Sequence, residues 1–119
     1  MRVTYPWKLT IKDYAQIGDD VELYTLGEIQ IGAHSVISQR CYLCTGSHDY
    51  TRPTFDIYTR PILIADQVWL AGDVFVAPGV EIGEGALVGA RSTVLHSLPG
   101  GMICYGNPAR PVKPRLHSS

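Results

Sequence analysis

The sequence predicts an all-β chain: a single-stranded parallel β-helix of six-residue repeats, with one extruded loop and an extended C-terminal strap. Three observations carry this. A branched apolar residue returns every six positions, as Ile64, Leu70, Val76, Ile82, Val88 and Val94. The next position is small, as Ala65, Ala71, Ala77, Gly83 and Gly89, until Leu95 breaks the run. Four positions after each apolar residue stands a second inward candidate: Val68, Val74, Val80, Ala86, Ser92 and Leu98.

A period of six excludes both a helix and a simple sheet strand. An amphipathic helix needs apolar returns at three and four, and a half-buried strand alternates at two along its length. Six fits a short flat strand followed by a corner. Three such strands make one coil of a triangular prism. The small residue after each inward side chain allows crowding at the turn, where glycine also tolerates unusual dihedrals.

The same phase runs toward the N-terminus. It gives Ile31-Gly32, Ile37-Ser38 and Leu43-Cys44, with Ser35, Cys41 and Ser47 in the second inward slot. Before them stand Ile11, Ile17-Gly18 and Leu23. Leu23 and Ile31 are eight apart, so two residues are extra there. The chain is read as one domain over 1–119, with repeats over 11–48 and 62–105. Residues 49–61 break the period and carry Pro53 and Pro61, which cannot donate to a ladder. They are read as a loop thrown out from a corner, and loops on rigid scaffolds are where function concentrates. Residues 106–119 are proline-rich and cannot form a regular helix, so a strap along the last coils is expected.

The chain has 119 residues and a net charge of -1, which gives no electrostatic case for nucleic acid or an anionic membrane. No apolar run is long enough for a membrane span. Met1–Trp7 lacks the apolar core of a signal peptide, so a cytoplasmic protein is the default expectation. Cys41, Cys44 and Cys104 make an odd count, against a disulfide framework. Cys41 and Cys44 form C-x-x-C, but a zinc site needs a second close pair, and a redox motif needs a strand-to-helix setting. Two small residues in a repeat is the favoured reading. A thin prism with unpaired end strands gains by packing against copies of itself, so a homo-oligomer is expected.

The residues now resemble a known family. Trp69–Ala90 is similar to the C-terminal coils of hexapeptide acyltransferases, and Gly106-Asn107-Pro108-Ala109 resembles the motif that closes them. Pro6–Ile11 and Tyr42–Tyr50 are closer to one branch, the colanic acid biosynthesis-type O-acetyltransferases related to galactoside and maltose O-acetyltransferases. The resemblance covers residues 6 to 115 and implies a left-handed winding and a homotrimer. It implies acetyl transfer from acetyl-CoA to a saccharide or other small-molecule hydroxyl, without an acyl-enzyme. Two departures stand out. The branch usually carries a longer N-terminal section, and Arg91 follows Ala90 where a small residue is common.

His48 is the candidate catalytic base. An alcohol attacks a thioester poorly until its proton is taken, and imidazole suits that task near neutral pH. Read from spacing alone, a single histidine is more often a surface or core residue; the resemblance singles this one out. Asp49 orients His48, contacts the acceptor or, equally, is a solvated loop carboxylate; the acceptor role is favoured over the orienting one because neighbours on a strand point oppositely. Tyr24, Thr25 and Tyr50 are further acceptor candidates. By the resemblance Trp69, Gly72 and Ala90 line the coenzyme groove. Arg110 and Lys113 meet its phosphates, with Arg115 a looser candidate, and arginine's fork matches phosphate geometry. A backbone N–H after Gly72 is the candidate oxyanion donor.

Two rivals remain. A zinc enzyme on this scaffold needs close histidines, whereas His34, His48, His96 and His117 are far apart in sequence, so no metal is expected. A non-catalytic scaffold or saccharide-binding module is the other, since fold does not fix function.

Overall fold

The computed structural model describes residues 1–116, and the end of the expected strap, with His117, lies outside them. The chain winds through five coils. The first contains β1 (Arg2–Val3), β2 (Leu9–Ile11) and β3 (Gln16–Ile17). The second contains β4 (Glu22–Tyr24), β5 (Ile29–Ile31) and β6 (Val36–Ile37). The third opens with β7 (Tyr42–Cys44) and leaves the prism as a hairpin, β8 (Gly46–His48) with β9 (Ile57–Thr59). It returns with β10 (Ile62–Ile64) and β11 (Trp69–Leu70). The fourth is β12 (Phe75–Val76), β13 (Glu81–Ile82) and β14 (Leu87–Val88). The fifth is β15 (Thr93–Val94), a bridge at Leu98, and β16 (Met102–Gly106), followed by β17 (Ala109–Pro114).

Equivalent strands stack in parallel into three faces. Face A is β1-β4-β7-β12-β15, face B is β2-β5-β10-β13, and face C is β3-β6-β11-β14-β16 with β17 added antiparallel. The register pairs the repeat residues in columns, Leu23 with Leu43 and Val76 with Val94 on face A, Ile31 with Ile64 and Ile82 on face B. All of these are buried. The second inward slot is buried as well, at Val21, Cys41, Val68, Val74, Val80 and Ala86. Its polar members are satisfied. Ser35 Oγ donates to the Ala65 carbonyl at 2.7 Å and accepts from the Val68 amide at 3.1 Å. Ser47 is the correction. It was expected to point inward, but it lies exposed on β8, because the chain leaves the coil at Gly46 rather than at Asp49.

The corners explain the small residues. A Cβ on Gly83 would lie 2.3 Å from the Gly100 amide nitrogen, and one on Gly32 would lie 2.4 Å from the Ala65 carbonyl. Backbone passes over backbone there, so side chains are excluded. The residue two further on takes a left-handed conformation. Tyr14, His34, Gln67, Gly85 and Gly101 form one such column between faces B and C. Asp20, Arg40, Asp73 and Arg91 form another between C and A. Each non-glycine member costs on the order of 1 kcal/mol. The cost is offset by a hydrogen bond to the coil before, as from the His34 amide to the Asp13 carbonyl at 3.0 Å and from Asp73 to Gln39 at 3.0 Å.

The A–B corner differs. Val3 to Ile11 and Leu23 to Ile31 each span eight residues, and the hairpin leaves from this same corner one coil later. Two buried threonines brace it. Thr25 Oγ1 bonds both the amide and the carbonyl of Tyr5, at 2.6 and 3.1 Å. Thr45 Oγ1 donates to the Tyr24 carbonyl at 2.6 Å and accepts from the Gly27 amide at 2.7 Å. The C-terminal strap is β17, which turns back through Asn107-Pro108 and covers the last edge of face C.

Candidate active site

The hairpin arm carries His48. Gly46, Ser47 and His48 pair with Thr59, Tyr58 and Ile57. Gly46 is closely packed at the root. A Cβ there would sit 2.7 Å from the Leu26 side chain and 3.2 Å from the Tyr24 ring. Tyr24 therefore stands at the base of the strand that bears His48.

His48 Nδ1 lies 2.8 Å from the Phe55 carbonyl oxygen. A carbonyl only accepts, so this bond places the proton on Nδ1 and leaves the Nε2 lone pair open. The side chain is exposed and lines a cleft of about 310 Å³ with Asp49, Tyr50, Tyr58 and Arg60. Asp49 is engaged within the arm. Its Oδ1 accepts from the Thr51 amide at 3.0 Å and the Thr51 hydroxyl at 2.5 Å, while Oδ2 faces Arg52 at 3.5 Å. The Thr51 hydroxyl leads the contacts that hold the Asp49 carboxyl below the usual carboxylate range. Tyr50 is exposed in the same cleft, whereas Thr25 is buried and serves the corner.

The expected coenzyme residues gather at a different corner. Gly72 and Ala90 stack between faces C and A, tied by the Arg91 amide donating to the Gly72 carbonyl at 2.9 Å. A Cβ on Gly72 would meet the Gln39 side-chain nitrogen Nε2 at 3.1 Å. Trp69 stands outside face C and leans to this corner, its Nε1 donating to Ser38 Oγ at 3.0 Å. The register continues outward from Trp69 through Leu87 and Ile103 to Lys113. Arg110 pairs with Tyr105, which packs over Gly89. Arg115 instead holds the Gln67 and Gly85 carbonyls at 3.1 and 3.3 Å. Among the described residues, Arg91, Arg110 and Lys113 form no salt bridge. Gly72 and Ala90 thus mark the C–A corner, Trp69 and Lys113 lie in one column of face C, and Arg110 lies opposite Tyr105 beside Gly89; His48 and Asp49 are on the arm at the other edge of face A, with Tyr24 at its root.

Sequence reasoning missed Tyr58, Arg60 and the Phe55 carbonyl. The Arg60 guanidinium lies 5.5 Å from the Tyr58 ring centre beside His48. The alternation in Ile57-Tyr58-Thr59 was the available signal for the second strand. Among the described residues no group of three His, Cys, Asp or Glu side chains is placed to hold a metal. No helix among them is long and apolar enough to cross a membrane. Cys41 and Cys104 are buried free thiols pushed up by desolvation, and Cys44 is half-buried.

This geometry has close relatives. The chain is 61% identical over 118 residues to a protein named colanic acid biosynthesis acetyltransferase WcaF in Escherichia coli (strain K12). The chain is similar along nearly its whole length to hexapeptide-repeat acetyltransferases. The match takes in 99% of the chain and 65% of the relative, so the chain spans just under two thirds of that protein's length. No family model matches the chain. A maltose O-acetyltransferase from Clostridium difficile 630 superposes with a TM-score of 0.91 at 27% identity, over 98% of this chain and 64% of that one. A hexapeptide-repeat acetyltransferase from Vibrio cholerae O1 biovar eltor, solved with acetyl coenzyme A, superposes with a TM-score of 0.77 at 30% identity. It is covered to 66%, and this chain to 92%. Superposition is sensitive to hand, so the coil winds as these family members do.

Proposed function

We propose that the protein is an acetyl-CoA-dependent O-acetyltransferase acting on a saccharide hydroxyl, with His48 as general base. The observation that carries this is the bond from His48 Nδ1 to the Phe55 carbonyl. It fixes the ring and leaves Nε2 as the proton acceptor, which is what a base needs before its substrate arrives. Named relatives supply the rest: WcaF is named for colanic acid, and the Vibrio structure holds acetyl coenzyme A.

In the proposed step, His48 Nε2 takes the proton from the acceptor hydroxyl as its oxygen attacks the thioester carbonyl. The carbon–sulfur bond breaks as the tetrahedral centre collapses, and the imidazolium returns the proton to the departing thiolate. No acyl-enzyme is needed. The Gly72–Ala90 corner is proposed to take the coenzyme arm along its small residues, with the Gln39 side chain beside Gly72. Arg110 and Lys113 are available for phosphates. The first amide after Gly72, that of Asp73, already donates to the Gln39 carbonyl at 3.0 Å, so the oxyanion donor is left unassigned.

One chain holds the two halves at opposite edges of face A. The reading therefore places the arm of one copy against the Gly72–Ala90 ridge of the next, in a closed homotrimer. We place its action in the cytoplasm, where acetyl-CoA is made. Asp49 is assigned to holding the arm's turn, and Tyr24, Tyr50 and Arg60 to the acceptor. The test is thiol release from acetyl-CoA with a panel of sugars. His48→Ala should lower release by about a hundredfold or more, a factor typical of a lost general base, while acetyl-CoA binding persists. Equal rates for wild type and His48→Ala would reject the role.

A further inference from the structure

The A–B corner carries more than the arm. In the first coil it holds a single 3-10 turn, Pro6–Lys8, entered from Tyr5. Trp7 on this turn is 76% exposed, and its ring lies 5.0 Å from the Tyr5 ring at 36°. The turn is rigidly held. Thr25, fully buried, bonds Tyr5 on both sides, and Lys8 Nζ donates to the Leu26 carbonyl at 2.6 Å. Leu26 in turn packs on Gly46, the first residue of the strand that ends in His48. A continuous surface thus runs along one corner from the indole of Trp7 across Leu26 to the catalytic arm.

We propose that the acceptor is an oligosaccharide, and that Trp7, backed by Tyr5, holds one sugar unit while His48 acts on another. This rests on the reading of His48 as the base of a saccharide acetyltransferase. A pyranose presents an apolar C–H face and a hydroxyl rim. A flat indole takes the face, and an indole fixed on a short braced turn loses little freedom in doing so. The spacing fits. The turn bearing Trp7 and the root of the arm at Gly46 lie two coils apart, about 10 Å along the axis at the usual strand separation. That is the span of two linked sugar rings.

The test measures acetyl transfer by the full chain to acceptors of one, two and three units: glucose, maltose and maltotriose, and galactose with its β-linked di- and trisaccharides. For wild type, kcat/KM should rise about tenfold or more from one unit to two, through KM. Trp7→Ala should remove that rise, and Trp7→Tyr should restore part of it. Urea midpoints and light-scattering mass check that each variant keeps its fold and assembly. Transfer that is indifferent to chain length overturns the inference and leaves the acetyltransferase reading standing. So does an equal loss on every acceptor in Trp7→Ala, or a change of oligomeric mass in that variant, which would make Trp7 a subunit contact. Transfer to none of the acceptors, with CoA bound, sinks both readings together.

Discussion

Gly32→Ala tests whether corner contact, rather than conformational freedom, explains the small residues of the repeat. Gly32 is not in the left-handed region, so alanine suits its dihedrals. The added Cβ would lie 2.4 Å from the Ala65 carbonyl carbon and oxygen and 2.5 Å from the Asp66 nitrogen. Ordinary contact is near 3.5 Å, so the two corners would have to part by about 1 Å. Three bonds cross the same gap: Gly32 amide to Ile64 carbonyl at 2.8 Å, Ala33 amide to Asp66 Oδ1 at 2.8 Å, and Ser35 Oγ to Ala65 carbonyl at 2.7 Å. Overpacking costs about 1–3 kcal/mol, and a weakened bond adds about 1 kcal/mol, so the expected loss is about 3 kcal/mol. Gly101→Ala is the comparison. Gly101 has φ +69° and nothing within 4 Å of an added Cβ, so only the dihedral penalty of about 1 kcal/mol applies. Urea unfolding of both variants at one fixed protomer concentration reads the difference, since assembly contributes to apparent stability. If Gly101→Ala proves as costly as Gly32→Ala, corner crowding is not what selects small residues here.

Two further outcomes follow from the charges and thiols. Arg40 grips Asp73 through two bonds, at 3.0 and 3.2 Å, and that contact leads those holding the Asp73 carboxyl below its ordinary range. A carboxyl depressed in the folded state adds stability above its unfolded pKa and loses it as pH falls through the folded value. Asp73→Asn should therefore lower the urea midpoint slightly at neutral pH. The gap should close in acid below the carboxylate range and in high salt; a gap that persists in acid would refute the assignment. Titration of the native protein with a disulfide reagent should modify Cys44 quickly and leave Cys41 and Cys104 unreacted until unfolding, because burial raises both of the latter. Rapid reaction of all three thiols would contradict this burial pattern.

The prism was legible because its cause is periodic. Each face needs one branched residue inward and one small residue at the corner, and the sequence repeats that demand from Ile64 to Val94 with a single lapse. The two extra residues after Leu23 were legible too, and the structure puts them on the corner from which the arm departs. The arm was only half legible. Ser47 keeps the phase of the repeat, so the pattern continues past the point where the chain has left the coil. The partner strand is three residues long, too short for alternation to stand out. The group that orients His48 is a backbone carbonyl, which any residue at position 55 would supply. Side chains in left-handed corners, such as His34, Arg40 and Arg91, also go against local preference. The coil stacking imposes that conformation, and no local signal announces it.

What the sequence carried without display is the separation of the two half-sites. Apart from the arm, the eight-residue A–B steps of the first two coils and the short step from Val94 to Leu98, each six-residue step advances one face. His48 follows the face A residue Leu43, which puts its arm on the A–B corner. Gly72 follows the face C residue Leu70, which puts it on the C–A corner. Counting faces thus sets a proposed base and a proposed coenzyme ridge at the two edges of face A. No rotamer change within one chain brings one to the other, since the corners are locked by backbone hydrogen bonds between coils. If the acetyltransferase reading holds, assembly belongs to catalysis itself. An inactive His48→Ala protein and an inactive Gly72 variant should then restore activity when mixed and reassembled, because some interfaces would pair an intact arm with an intact ridge. A single-chain site predicts no such recovery.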